Sequence, residues 1–268
     1  PAAMDIVEDL VQNAVPDENI LANLKADMLK SRADAKLNQS RCFSALQRYV
    51  LYGPEFIDKV TLSNDEIMAI TSEELIDKVR SLLGYQHEVL YYGPSSEKQL
   101  SELLKKHHRT GADLKPLEKT YTECIPTPSS KVYLAQYDAK QIYYMQYACG
   151  GDMFDVKLDP VTRLYNDYFS GGMNAIVFQE MREARGLAYS SYAYLGQGAT
   201  RNEPYYFYAF IATQNDKMQQ AIEAFDEIIE EMPRSEQAFE LAKSGALANL
   251  ESQRTTKMNV LWSYLEYE

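Results

Sequence analysis

The stretch from Phe169 to Leu195, FSGGMNAIVFQEMREARGLAYSSYAYL, most restricts what this chain can fold into, because turn, helix and strand signals follow one another there without a gap. Gly171 and Gly172 are expected to open it with a tight turn, since glycine takes positive φ at little steric cost. Met173, Ile176, Val177 and Met181 then recur at three- and four-residue spacing, with Gln179, Glu180, Arg182 and Glu183 on the other side, so an amphipathic helix should follow. Gly186 stands where a left-handed helix cap belongs, and Leu187 supplies the apolar contact beyond it. From Leu187 onward, alternating aromatic and small residues, including Tyr189, Tyr192 and Tyr194, predict a strand.

This order places Arg182 in the last turn of a helix and Tyr189 at the start of a strand, with one glycine corner between them. Their side chains could converge. The structural alternative is that Arg182 pairs with a helix-terminal carbonyl or near Glu183, and that Tyr189 is one of 21 tyrosines packing a sheet.

The rest of the chain sets the context. Its 268 residues suffice for a substantial core and two domains. A formal net charge of -12 argues against nucleic-acid binding, because phosphate contacts need clustered Lys and Arg. Cys42, Cys124 and Cys149 are widely separated and odd in number, so they form neither a disulfide framework nor a CxxC metal pattern. No apolar run has the length of a membrane span, and the start lacks the basic and apolar regions of a signal peptide. The compartment stays open between cytoplasm and periplasm. Pro1 is not an initiator methionine and Glu268 falls inside a helical pattern with no cap, so a fragment is expected.

Apolar stripes predict three helices over residues 5 to 50, the first carrying Ile6, Val7, Leu10 and Val11, and Gly53-Pro54 ends them. Ser63 with Glu66, Thr71 with Glu74 and Ser96 with Gln99 have capping-box spacing, and Val89 to Tyr92 reads as a short strand. A polar stretch from Thr110 to Ser130 lacks periodicity and is placed as a linker. Beyond it, Val132 to Tyr137 and Ile142 to Ala148 read as a hairpin around Asp138-Ala139-Lys140, and Asp159-Pro160 starts a helix. Gly196 to Glu203 is a polar loop, Tyr205 to Ala212 a strand pairing antiparallel with the one after Gly186, Asn215-Asp216 a helix cap, and Ser235 another. The resulting class is α+β, a mostly antiparallel sheet with helices packed on one face.

Chemistry-bearing motifs are scarce. His87, His107 and His108 are the only histidines, none has the H-x-x-E-H spacing of an inverted zinc hydrolase, and each reads as structural or exposed. No nucleophile elbow, P-loop or dinucleotide fingerprint occurs. Glu180 and Glu183 lie one turn apart and read as solvated charges.

The words GGMNAIVFQEMREARGLAYS resemble the second-domain signature of the pitrilysin/insulinase family of zinc metallopeptidases, in which a glycine pair, a helix ending R-E-x-x-G-L-A-Y and a strand recur. Similarity runs from about residue 60 to the end. The resemblance implies a metal-free C-terminal half incomplete at both ends, with residues 1–118 the end of a third, largely helical domain and residues 119–268 a truncated fourth α+β domain. It further implies zinc in an N-terminal catalytic half of the full-length protein, none bound by this fragment, peptide substrates in an enclosed chamber, and no activity from the fragment alone. Arg182 and Tyr189 match the pair that reaches across to hold substrate, Tyr189 also stabilising the transition state, while Gly171, Gly172 and Gly186 shape the adjoining backbone. A noncatalytic scaffold or partner subunit of the same fold is the alternative.

Overall fold

The computed structural model describes residues 2–111, 113–118, 123–198, 202–254, 256 and 258–267. The expected domain break at 118/119, the middle of the Thr110 to Ser130 linker and the middle of the Gly196 to Glu203 loop lie outside those residues. In chain order come α1 (Ala2–Asn13), α2 (Glu18–Lys36), α3 (Gln39–Tyr52), α4 (Pro54–Val60), α5 (Asn64–Ala69), α6 (Ser72–Ser81) and α7 (Glu97–His107). The second part holds β1 (Gln141–Met153), α8 (Asp159–Ser170), α9 (Ile176–Phe178), β2 (Ser190–Gly196), β3 (Pro204–Gln214), α10 (Met218–Glu231), α11 (Glu236–Ser252) and α12 (Met258–Tyr267).

All three capping boxes form. Ser63, Thr71 and Ser96 accept from the backbone amides of Glu66, Glu74 and Gln99, whose side chains return to the cap amides. The amides of Ser63 and Thr71 hold the Glu66 and Glu74 carboxyls below the usual glutamate value. Gly53, at φ +79, closes α3, and Pro54 opens α4 where its missing amide costs nothing. Two expected strand regions differ. Residues 89–92 and 132–137 are not in strands, and Val132 and Leu134 are exposed. β-branched composition alone does not make a strand; a hydrogen-bonded neighbour is needed, and β1 takes its partner from β3 rather than from a hairpin with 132–137. Asn215-Asp216 lies in a 3₁₀ turn, and α10 starts after Lys217 without a side-chain cap.

The chain divides into two compact units that interleave along the sequence: Pro1–Asp34, Thr61–Thr120 and Arg254–Glu268 form one, Ala35–Val60 and Tyr121–Gln253 the other. The first unit is helical and joined largely by polar clasps. Lys25 donates to the Met68 and Ile70 carbonyls at 2.9 and 2.5 Å, and Arg32 to Asn64 Oδ1 and the Leu62 carbonyl, each at 2.7 Å. Glu18 accepts from the Ser72 amide and hydroxyl at 2.9 and 2.7 Å, which lowers its pKa. Leu21 and Ile67 are buried, but Ile6, Val7 and Leu10 of the predicted α1 stripe remain more than half exposed. The stripe forms on the helix, and among the described residues of this unit nothing closes over it.

The second unit contains the sheet, ordered β1-β3-β2 with both pairings antiparallel. Opposed residues share a face, so the register sorts the side chains. Tyr144, Ala193, Phe207, Ala209 and Ile211 meet Phe169, Val177, Met181, Phe225 and Ile228 in one core under α8 to α11. The alternate residues build an aromatic face. Tyr192 stacks on Phe210 at 5.1 Å and Tyr194 on Tyr208 at 5.2 Å, while Phe43 of α3 meets Tyr143 and Phe210 edge-on at 5.5 and 5.7 Å. Gln47 of α3 donates to the Tyr208 hydroxyl, and burial raises the Tyr194, Tyr206 and Tyr208 phenols, so this face stays uncharged. The expected α+β layer is therefore present, with α3 added on the second face.

Candidate functional site

The segment that opened the sequence reading folds as a short helix, a corner and a strand, but its helix is not regular. Only Ile176–Phe178 is α-helical, and Gln179–Ala184 continues as a π-helical turn. Just beyond its end the Leu187 and Ala188 amides both reach back to the Met181 carbonyl, at 2.9 and 3.3 Å, and close the turn. Met181 is itself fully buried, so the turn is pinned to the core.

Gly186 adopts φ +58, the left-handed conformation expected of it, and its amide reaches the Arg182 carbonyl at 3.2 Å. Around it the corner is clamped. Thr213 Oγ1 donates to the Leu187 carbonyl at 2.6 Å, Lys217 Nζ to the Gly186 carbonyl at 3.1 Å, and the Tyr189 amide to the Ala212 carbonyl at 2.9 Å. A Cβ on Gly186 would meet no atom within 4 Å, so substitution there costs only conformational energy. Gly186→Ala is expected to lower stability by about 1 kcal/mol, read as an earlier urea midpoint; an unchanged midpoint would show that the corner does not depend on the left-handed turn.

Gly171 corrects an expectation. Its φ is -76, within reach of any residue, and its role is close approach: a Cβ would lie 2.5 Å from the Asp167 Cα and 2.8 Å from the Asp167 carbonyl oxygen. Gly172 has open space around it, with its carbonyl accepting from the Ala175 amide at 3.1 Å.

The two arginines of the turn separate cleanly. Arg185 Nη1 pairs with Glu227 of α10 at 2.7 Å and its Nε lies 3.7 Å from Glu180, contacts that raise its pKa and lower that of Glu227. Arg185 is thus a structural tie between this turn and α10. Arg182 has a long contact to Glu183 at 3.9 Å and lies over the Phe178 ring at 5.1 Å, its side chain 53% exposed. The proximity to Glu183 matches the structural alternative, but a pair that long between exposed groups contributes little. Tyr189 is 75% exposed. Neither side chain is enclosed in the protein's interior, and both leave from backbone held by several hydrogen bonds. Such a guanidinium suits a peptide carbonyl or carboxylate, and such a phenol can donate to an oxygen that gains negative charge.

Sequence reasoning missed two features here. The tie of Arg185 to Glu227 joins residues 42 apart, and no local spacing announces it. The aromatic face arises from register, which composition gave only as a high tyrosine count. Among the described residues, no group of three His, Cys, Asp or Glu is placed to hold a metal ion, and no helix is long and apolar enough to cross a membrane.

Comparison with known proteins bears on the family and the fold. The family described as peptidase M16 inactive domain matches residues 70–245. No curated protein sequence matches. Among solved structures, the peptidase M16 inactive domain from Pseudomonas fluorescens is similar with a TM-score of 0.67 at 18% identity, over 97% of this chain and 62% of its own. The periplasmic protease PqqL from Escherichia coli gives a TM-score of 0.63 at 14% identity, over 91% of this chain and 27% of its own. A conserved protein from Enterococcus faecalis V583 gives 0.62 at 13%, over 99% and 63%. These likenesses are of fold, and this chain spans less than two thirds of each of those proteins. With the family matched over most of its length, the chain belongs to the peptidase M16 inactive-domain family, the pitrilysin-type C-terminal half.

Proposed function

We propose that this chain is the noncatalytic half of a peptidase, that it pairs with a catalytic half of the same polypeptide, and that Arg182 and Tyr189 hold a peptide substrate in the chamber between them. The observation that carries the reading is the corner itself. The turn pinned to the core by Met181 presents an exposed guanidinium, and the start of the strand beyond the Gly186 corner presents an exposed phenol seven residues later, while Arg185 between them is tied into structure. On this reading residues 1–118 close a third pitrilysin-type domain and residues 119–268 form most of a fourth.

Arg182 grips the backbone of an extended peptide, and Tyr189 donates its hydroxyl proton's hydrogen bond to the carbonyl oxygen as water attacks. The three histidines of this chain lack the spacing of a zinc hydrolase site, so a zinc ion that would activate the attacking water would be held by residues of the other half.

The test is cleavage of a fluorogenic unfolded peptide by the purified chain and by the full-length protein. The full-length protein is expected to cleave it, and the isolated chain to be inert. Cleavage by the isolated chain would remove the reading, and an inert full-length protein would favour a scaffold subunit.

A further inference from the structure

All three histidines of the chain, each read from the sequence as structural or exposed, lie in the first unit. His107 Nδ1 meets Asp5 Oδ1 at 2.6 Å, and His108 Nδ1 meets Glu8 Oε1 at 2.5 Å. The Nε2 atoms of His87 and His108 face one another at 2.6 Å, with the rings edge to face and their centroids 4.9 Å apart. The remaining nitrogen of His87, Nδ1, lies 2.8 Å from the Tyr85 carbonyl oxygen.

These contacts assign the protons. A carbonyl oxygen only accepts, so His87 Nδ1 carries hydrogen; the Glu8 carboxylate accepts as well, so His108 Nδ1 also carries hydrogen. A neutral imidazole has a single N–H. Two neutral rings would therefore point bare lone pairs at each other across 2.6 Å, which is repulsive. One added proton turns the same contact into an N–H donating to N. The spacing is also wrong for a metal, since two nitrogens each about 2.0–2.1 Å from a tetrahedral ion stand roughly 3.3 Å apart.

We propose that His87 and His108 share one proton, and that this singly charged pair, balanced by the Glu8 carboxylate, is a proton-dependent clamp fastening the segment around Tyr85 and the end of α7 to α1. Glu8 is buried, and it also accepts from Gln12 Nε2 at 3.2 Å and from the Arg109 amide at 3.4 Å. From α1 the facing charges are Asp5 and Glu8; from the end of α7 they are His107 and Arg109, the latter donating to Gln12 Oε1 at 2.8 Å. From α6, Arg80 reaches the Gln12 and Ala14 carbonyls and Asp77, while Glu88 follows His87 and Lys115 bonds through its backbone to Gly84 and Gln86. No carboxylate besides Glu8 touches the shared pair among these contacts.

The sign of the pH effect follows from proton counts. The clamp holds one proton between its two rings; where the unfolded chain holds none there, stability falls as pH rises, and where the unfolded chain holds two, a second proton on the pair would set N–H against N–H and stability falls as pH drops. The contribution is a bell.

Two measurements on the whole chain test this. Long-range imidazole ¹H–¹⁵N spectra, simple with only three histidines, should show His87 and His108 both protonated at Nδ1 and titrating together. Thermal unfolding from pH 5 to 9 should show the bell in the parent and in His107→Gln, and lose it in His87→Ala, with the parent midpoint dropping by roughly 2–4 °C on the alkaline side. Independent titration of the two rings, or a bell that survives His87→Ala, overturns the clamp. So does a shift of both Nε2 resonances on adding one equivalent of zinc chloride, which would make the pair a metal site. If His87→Ala fails to fold, the spectra of the parent alone decide.

Discussion

Tyr189→Phe in the full-length protein is expected to lower kcat for peptide cleavage by about 10²-fold with little change in KM. Tyr189 is three-quarters exposed and its backbone is held by the hydrogen bond its amide N–H donates to the Ala212 carbonyl, so removing one oxygen disturbs no packing. Melting temperature should therefore be unchanged. Its partner separates in the other direction: Arg182→Ala removes a guanidinium that holds ground state and transition state alike, and should act mainly on KM. Equal turnover by the parent and Tyr189→Phe would strip the tyrosine of its proposed role while leaving the family membership intact.

Phe225→Ala carries the largest expected stability effect, a loss of about 3–5 kcal/mol. Phe225 is fully buried on α10 within the cluster that also holds Phe169, Val177, Met181 and Ile211, so truncation opens a cavity among α8, the π-helical turn and β3 at once. Circular dichroism should show a midpoint lower by roughly 10 °C. Because Met181 in that cluster also anchors the corner under Arg182 and Tyr189, the variant should lose peptide turnover at temperatures below its own melting. Leu250→Ala, at a position 68% exposed, should stay within about 0.5 kcal/mol of the parent. A Phe225→Ala midpoint within a degree or two of the parent would mean that the core closes over the gap, and would weaken the link between packing and site.

The cap of the corner, Gly186, was legible because a left-handed position demands glycine and leaves it in the sequence. The π-helical turn was not, since i-to-i+5 bonding has no residue signature of its own. The same limit explains residues 132–137, whose β-branched and aromatic residues satisfy a propensity and find no strand partner. Gly171 shows it in miniature: the sequence marked the residue, and only the coordinates show that the reason is the nearby Asp167 backbone rather than φ.

By itself, then, the sequence determined what is local: three capping boxes, the helix starts at Asp159 and Ser235, the antiparallel partnership of β2 with β3, and the spacing of Arg182 and Tyr189. Tertiary structure alone decided which of two neighbouring arginines stays exposed, how the tyrosines sort into one aromatic face, and that histidines 21 residues apart meet over a carboxylate from another helix. Short-range choices are fixed by the energies of adjacent residues, whereas these depend on which distant groups chain closure brings within about 3 Å, and no local pattern encodes that.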